Sequence, residues 1–166
     1  MFRLIDPKQL DQNVFSLIGD RWMLITAGSG EACNTMTASW GGLGVLWNKP
    51  VATCYIRPQR YTKEFVEREE YFTLSVFGEE YRKELTLCGR TSGRDTDKIK
   101  ECGFTVCTHE SGAPYFEQAE LVLVCRKRFA QAMDPANIPD DVKQQQYPNK
   151  DYHFMYIGEI VAVLAK

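Results

Sequence analysis

Residues 51–62 read Val-Ala-Thr-Cys-Tyr-Ile-Arg-Pro-Gln-Arg-Tyr-Thr, and they give the clearest indication of the fold. The run 51–57 is apolar and β-branched, which predicts a buried strand. Pro58 ends that strand, because proline has no N–H to donate to a sheet ladder. Thr62 then begins a helix that is predicted to extend to about residue 70. The stretch therefore predicts a strand joined to a short helix by a rigid turn.

The rest of the chain continues this pattern of short strands with a few short helices. Further strands are predicted at 23–27, 35–40, 71–77, 104–108, 120–129 and 152–164. Helices are predicted at 6–18, 62–70, 79–88 and 95–101, a loop at 41–50, and a polar surface excursion at 134–150. The strands are not separated by regular helices, which argues against a doubly wound sheet. We expect one mainly β domain over residues 1–166, an antiparallel Greek-key barrel with short helical insertions.

Charge and targeting signals narrow the class of function. The chain has 166 residues, a formal net charge of −2 and a pI of about 5.8. Nucleic-acid binders normally carry a basic surplus, so binding to nucleic acid is not expected. Residues 1–10 lack the apolar core of a signal peptide, and no apolar run approaches the ~20 residues of a membrane helix. We therefore expect a cytoplasmic protein without a membrane partner.

The six cysteines, at positions 33, 54, 88, 102, 107 and 125, include no C-x-x-C pair. Zinc and redox sites prefer that spacing, so no metal site is predicted. Cys54 and Cys125 lie in apolar runs, where a thiol behaves as a small hydrophobic side chain. We expect reduced structural cysteines, and the sequence leaves open whether Cys33, in a glycine-rich turn, has a further role.

The segment 57–62 is the first of three candidate binding segments. The free N–H groups at a helix start attract an anion, and the helix dipole adds to that attraction. Arg60 could add a bidentate contact and Thr62 a hydroxyl, which together would suit a phosphate monoester. The alternative is an ordinary capped helix with two solvated arginines, Arg57 and Arg60.

Two other polar segments are also candidates for binding a ligand. Residues 89–98, Gly-Arg-Thr-Ser-Gly-Arg-Asp-Thr-Asp-Lys, could turn several N–H groups onto one anion. The alternative is a capping box, Ser92 with Asp95, that starts a small helix. Residues 34–40, Asn-Thr-Met-Thr-Ala-Ser-Trp, alternate as a strand and could offer a flavin ring both edge hydrogen bonds and apolar contact. The alternative there is an ordinary Thr-rich edge strand.

Together and in this order, the segments resemble the flavin reductase-like, FMN-binding split-barrel family, and its flavoredoxin branch in particular. The matching stretches are 34–40, 57–62, Ser-Gly-Arg-Asp-Thr-Asp-Lys at 92–98, and His-Phe-Met-Tyr-Ile-Gly-Glu-Ile at 153–160. The resemblance runs from about Trp22 to Val163. It implies a split β-barrel that binds FMN between the two subunits of a homodimer.

The resemblance also implies roles for individual residues. The flavin ring and ribityl chain would be lined by Asn34, Thr35, Met36, Thr37, Ala38, Ser39 and Trp40. The phosphate would be bound by Arg60, Tyr61 and Thr62 with Arg57 nearby, and covered by Ser92, Gly93, Arg94 and Lys98. Arg94 or Lys98 could also stabilise the reduced, anionic flavin. His153 would lie where a nicotinamide stacks, although Tyr152 stands where the family often has an acidic residue; a merely buried or surface histidine is the alternative.

The function implied is that of an NAD(P)H:flavin reductase, in which hydride passes from NADH or NADPH to bound FMN. The sequence has no G-x-G-x-x-G after a predicted strand, so the dinucleotide would have to bind in the same cleft as FMN. Two alternatives are an FMN-containing electron carrier with a redox protein partner, and a non-enzymatic barrel that binds another phosphorylated ligand or a protein.

Overall fold

A computed structural model of the protein describes residues 1–30 and 32–166. The strands in these ranges are β1 (Arg3–Ile5), β2 (Met23–Ser29), β3 (Ala32–Ala38), β4 (Gly41–Leu46), β5 (Lys49–Ile56), β6 (Tyr71–Val76), β7 (Val106–Thr108), β8 (Pro114–Phe116), β9 (Leu121–Ala132) and β10 (Phe154–Ala165). The α-helices are α1 (Thr62–Arg68), α2 (Arg82–Arg90), α3 (Lys98–Glu101) and α4 (Asp140–Gln146). Among the described residues, no helix has the length and apolar character needed to cross a bilayer.

The main sheet is antiparallel and curls into a barrel that is split at one seam. Its strand order is β3-β2-β6-β9-β10-β5-β4, with β1 paired to β10. The two strands at opposite ends of this order, β3 and β4, are consecutive in the chain and are joined only by residues 39–40. A link of that length spans at most about 11 Å, so the sheet must bring its two edges together. Ser39 and Trp40 therefore lie at the seam of the barrel.

A bulged pair of long strands allows the sheet to bend. The pairing of β9 with β10 shifts register between Ile157 and Gly158, and again between Ile160 and Ala162. Bulges of this kind increase local twist and help a sheet to close. Gly158 is required there, because an added Cβ would lie 2.6 Å from the Cβ of Cys125 and 2.8 Å from the ring of Phe72.

Strand alternation divides the buried side chains into two clusters. One fills the barrel and includes Ile25, Phe72 and Tyr156. The other lies under α2 on the outer face of the sheet and includes Leu24 and Phe77. Since Leu24 and Ile25 are neighbours on β2, they point to opposite faces, as the two-residue period of a strand requires.

Two of the expected elements are wrong. The predicted helix 6–18 is a 3-10 turn at Pro7–Gln9 followed by a π-helical turn at Ser16–Asp20. Asp6 does cap the first turn, but the side chain of Asn13 accepts from the N–H groups of Phe15 and Ser16 and so starts a separate turn.

The predicted loop 41–50 is mostly strand, because β4 pairs with β5 from Gly41 opposite Cys54 to Leu46 opposite Lys49. The two strands are joined by Trp47 and Asn48, whose φ values are +51° and +58°. Positive φ at both central positions is the requirement of a type I′ hairpin turn, whose usual signal is an Asn-Gly or Asp-Gly pair. Trp-Asn gives no such signal, so β4 escaped prediction, as did the short strands β1 and β8.

Candidate functional site

A cleft of about 230 Å³ opens at the seam of the barrel, and we call it the seam cleft. Every residue that lines it except Tyr55 was singled out in the sequence: Met36, Thr37, Ala38, Ser39, Trp40, Arg57, Arg60 and His153. They come from the end of β3, the link to β4, the end of β5 and the turn that follows it, and the residue just before β10. The fold thus brings together residues that lie more than one hundred positions apart.

A larger hollow of about 730 Å³ adjoins the seam cleft, and we call it the aromatic chamber. The two share Ser39, Trp40, Tyr55 and His153. The remaining lining residues are Val14, Phe15, Ile18, Gly19, Gly41, Gly42, Leu43, Met133 and Tyr147. The seam cleft and the aromatic chamber therefore form two compartments on either side of a wall of aromatic rings.

Arg60 is fixed at the seam cleft by the end of α2. Its Nη1 donates to the carbonyl oxygen of Gly89 at 2.7 Å, and its Nη2 donates to that of Cys88 at 3.3 Å. These carbonyls form the negative end of the α2 dipole, which favours a cation. Burial lowers the pKa of Arg60 from its ordinary value, but the group stays charged because an arginine pKa begins so high.

Arg57 holds a surface segment against the barrel. Its Nη1 lies 2.9 Å from the carboxylate of Asp151, and its Nη2 donates to the carbonyl of Gln146 at 2.9 Å. The same guanidinium lies 5.1 Å from the ring centre of Tyr147. Residues 134–150, expected as a polar surface excursion, contain α4. Through Arg57 this segment forms one wall of the aromatic chamber.

His153 lies between the two compartments and is 7% exposed. Its Nδ1 and the hydroxyl of Tyr147 are 2.8 Å apart, and its ring centre is 5.1 Å from that of Trp40. Burial, aided by the charge of Arg57, lowers the pKa of His153 to about 4. The imidazole is therefore neutral near pH 7 and is held between aromatic rings.

A third hollow, of about 810 Å³, contains other residues predicted for the flavin site: Asn34, Tyr61, Gly93 and Lys98, together with Cys33. Burial raises the pKa of Cys33 to about 11, so its thiol is protonated at neutral pH. The Lys98 ammonium is 3.0 Å from the carbonyl oxygens of both Cys88 and Thr91 and is buried. Burial, together with the charge of Arg60, lowers the pKa of Lys98 to about 8.

Close contacts in this region hold α1 and the segment 89–98 against β3. Asn34 donates from Nδ2 to the hydroxyl of Thr62 at 2.8 Å. An added Cβ at Gly93 would lie 2.0 Å from Oδ1 of Asn34, so only glycine fits there. Lys98 shares the Cys88 carbonyl with Arg60. The predicted residues are therefore neighbours, but they divide between the seam cleft and this third hollow.

Four predicted residues line neither hollow. Thr35 is fully buried, and its hydroxyl is 2.9 Å from that of Thr26. Thr62 is also buried, with its hydroxyl bonded by Asn34. Ser92 accepts from the N–H of Arg94, and Arg94 pairs with Glu64 and lies over the ring of Tyr61. In this structure these side chains stabilise the surroundings of the cleft.

The sequence did not reveal several residues that shape the site, among them Tyr55, Tyr147 and Asp151. Tyr55 could have been found by strand alternation, because its neighbours Cys54 and Ile56 point into the core. Tyr147 and Asp151 lie in a polar, proline-containing segment with no periodic pattern, so no local signal indicated that they contact Arg57 and His153.

Comparison with known proteins gives a consistent result. A family model described as flavin reductase like domain matches residues 15–166. The solved structure of flavoredoxin from Methanosarcina acetivorans has a TM-score of 0.71 at 22% identity, covering 98% of this chain and 76% of the other. Flavoredoxin of Desulfovibrio vulgaris (Miyazaki F) has a TM-score of 0.69 at 19% identity, covering 98% and 77%.

An FMN-binding domain of a flavin reductases-like enzyme from Shewanella baltica has a TM-score of 0.67 at 18% identity, covering 99% and 77%. A comparison with curated protein sequences gives no match. At these identities the solved structures show a shared fold, and they confirm the expected split barrel.

Proposed function

The chain belongs to the flavin reductase-like domain family, and from that premise we propose that it binds one FMN in the seam cleft and transfers electrons through it. The observation that carries the proposal is that separate parts of the chain meet at one cleft. The segment 36–40 and the guanidinium of Arg60 line one cleft, and a chamber of aromatic residues adjoins it. A phosphorylated, planar cofactor needs this combination of a cation, an exposed strand edge and apolar surface.

The donors and acceptors of the seam cleft suit FMN. β3 is an edge strand, so the backbone groups on its outer side have no strand partner and can face the polar rim of a flavin ring. Ser39 adds a hydroxyl, and Met36 and Trp40 add apolar contact. Arg60 uses two N–H groups on carbonyls and retains others that can donate to a phosphate.

The size of the seam cleft supports the proposal of a homodimer. Its volume of about 230 Å³ lies below the ~300 Å³ at which ordinary ligand pockets begin. A whole FMN would therefore extend beyond the cleft of one chain. Trp40, at the mouth, is 44% exposed. A second copy placed over this mouth would enclose the cofactor and cover the indole.

When bound, FMN would supply the hydride chemistry, accepting hydride from NADH or NADPH and returning electrons to an acceptor. The contribution of the chain is binding and orientation. Arg57 and Arg60 are the cations that line the cleft, so we assign the contacts to anionic groups to them rather than to Arg94 or Lys98. Trp40 and His153 contact each other and line both hollows, so they form the wall between the aromatic chamber and the seam cleft.

The phosphate assignment is tested by titrating the protein with FMN and with riboflavin, which lacks the phosphate. Charge-assisted hydrogen bonds contribute about 1.5–3 kcal/mol each, so Arg60→Ala should weaken FMN binding by roughly tenfold to a hundredfold. Riboflavin binding should change little. Arg94→Ala is the matched control and should leave both affinities near those of the unaltered protein. Equal losses for FMN and riboflavin in Arg60→Ala would contradict the assignment.

A second candidate function is that of an electron carrier without nicotinamide activity, reduced by a redox protein partner. Two of the structures with this fold are named as flavoredoxins, which favours it as the alternative. Anaerobic mixing of the FMN-loaded protein with NADH or NADPH separates the two. Rapid bleaching of the flavin absorbance supports the reductase, and its absence with both donors supports the carrier.

A further inference from the structure

Two of the six cysteines, Cys88 and Cys102, form a sulfur pair close to the candidate site. Cys88 lies near the end of α2, Cys102 directly follows α3, and their Sγ atoms are 3.7 Å apart. A disulfide has about 2.05 Å between its sulfurs, so the two atoms would have to approach by only about 1.7 Å to form one. Both thiols are free in this structure. The fold therefore places two reduced cysteines within reach of each other.

The hydrogen bonds of the pair distinguish the two thiols. The Sγ of Cys102 donates to the carbonyl oxygen of Glu84 at 3.7 Å, and a thiol has one hydrogen to donate. The hydrogen between the two sulfurs therefore belongs to Cys88. Donation to a sulfur favours its thiolate form, so the contact assists ionisation of Cys102. Cys102 is also half-buried, whereas Cys88 is fully buried, so a small oxidant reaches Cys102 first.

The surroundings of the pair keep both thiols protonated at neutral pH. Burial, aided by the contact with Cys102, raises the pKa of Cys88 to about 12. Burial raises the pKa of Cys102 as well, and the carboxylates of Glu84 and Glu101 add to this effect. Because the thiolate is the reactive form of cysteine, the pair resists weak oxidants. A half-buried thiol of this kind suits a small, strong oxidant of the hydroperoxide class better than a bulky disulfide.

We propose that Cys88 and Cys102 form a reversible disulfide when the protein encounters hydrogen peroxide. The thiolate of Cys102 attacks one peroxide oxygen and breaks the O–O bond, which gives a sulfenic acid on Cys102 and a hydroxide that takes up the proton released by the thiol. The sulfur of Cys88 then attacks the Cys102 sulfur, and its proton leaves with the hydroxyl group as water. The two thiols lose two electrons in all, and one peroxide is reduced to two waters.

The disulfide would act on the candidate site through the end of α2, and this consequence rests on the proposed function. The carbonyl oxygen of Cys88 accepts from Nη2 of Arg60 at 3.3 Å and from the Lys98 ammonium at 3.0 Å. The next carbonyl, that of Gly89, accepts from Nη1 of Arg60 at 2.7 Å. A bond that draws Cys88 towards α3 pulls on both carbonyls. Oxidation should therefore loosen Arg60, the side chain assigned to the phosphate.

Mass spectrometry of the peroxide-treated, full-length protein tests the disulfide. When free thiols are labelled in denaturant after treatment, the product should carry two fewer labels than the untreated protein, and dithiothreitol should restore both. Trypsin cuts between the two cysteines and should release peptides 84–90 and 101–126 joined to each other. Fragmentation of the joined peptides then distinguishes Cys102 from Cys107 and Cys125, which lie in the same peptide.

Substitution of single cysteines completes this test. Cys102→Ser should form no link, and its Cys88 should stay labelled after peroxide treatment. Cys107→Ser is the matched control, because Cys107 is half-buried as well, and it should form the 88–102 link as the unaltered protein does. Failure of the unaltered protein to form this link, whether Cys102 stays intact or gains oxygen atoms, would overturn the proposal. A link from Cys88 to Cys107 or Cys125 would overturn it too.

Titration of the reduced and oxidised proteins with FMN and riboflavin tests the coupling to Arg60. Oxidation should weaken FMN binding by roughly threefold to tenfold, the size expected for one misplaced hydrogen bond, and should leave riboflavin binding unchanged. Equal affinities of the two forms for FMN would refute the coupling. A reduced protein that binds no FMN would refute the proposed function and the coupling together, whereas the disulfide is decided by a mass measurement that involves no flavin.

Discussion

Lowering the pH from 8 to 5 should destabilise the protein in part through a single side chain, His153. Its ring is buried between aromatic residues and next to Arg57, so the folded state holds the neutral form. In the unfolded chain the same side chain is free to take up a proton. Replacing it with glutamine, which can still accept from Tyr147, should remove this part of the pH dependence.

The size of the effect follows from the two pKa values of His153. A histidine whose pKa is lowered by folding binds fewer protons in the folded chain than in the unfolded chain. At pH values well above its pKa in the unfolded chain, both states are unprotonated and the histidine has no effect on stability. Stability then falls as the pH drops through the unfolded value of about 6.5 towards the folded value. With a folded-state pKa of about 4, the loss between pH 8 and pH 5 is ~2 kcal/mol.

Urea unfolding at pH 8 and pH 5 measures this loss as a difference between variants. Carboxylates with lowered pKa values, such as Asp151 and Glu159, also reduce stability in acid, so the unaltered protein alone is not diagnostic. On acidification the unaltered protein should lose ~2 kcal/mol more free energy of unfolding than His153→Gln. His109→Gln, the matched control, should behave as the unaltered protein. Equal losses in all three would refute a neutral, buried His153.

Three other substitutions test separate parts of the structure. Gly93→Ala should lower the free energy of unfolding by about 1–3 kcal/mol, because its Cβ would lie 2.0 Å from Oδ1 of Asn34; an unchanged urea midpoint would show that the segment around Gly93 is not packed on β3. Arg57→Ala should speed amide hydrogen exchange in α4, which it anchors at the Gln146 carbonyl, while exchange in the sheet stays slow; no change in α4 would contradict this tether. Trp40→Phe should alter the fluorescence of added FMN if the indole lines the flavin site, and an identical titration would place the flavin elsewhere.

Local sequence signals predicted the strands well where a run of residues was either continuously apolar or alternated between apolar and polar. The buried run 51–57 became β5, and the alternating run 71–77 became β6. The same signals failed at β4, where three glycines suggested a loop although the strand is held by pairing with β5. Pairing partners are distant or depend on turn geometry, and neither is visible in a short window of sequence.

The candidate site shows the same division between local and distant information. Segment 36–40 and Arg60 were identifiable because their chemistry is local: hydroxyls on a segment predicted as an alternating strand, and a cation before a helix. The sequence did not indicate that the predicted site residues would divide between the seam cleft and the third hollow. Lys98 carries the right charge for a phosphate, but its ammonium is bonded to carbonyls at the end of α2. Only the packing of α3 against α2 determines that outcome.

The measurement that most directly tests the central claim is a crystal structure of the protein grown with FMN. We predict the flavin ring along segment 36–40, the phosphate in contact with Arg60, and a second copy of the chain closing the mouth of the seam cleft. FMN bound instead in the 810 Å³ hollow between Asn34 and Lys98, with Arg60 untouched, would contradict the account.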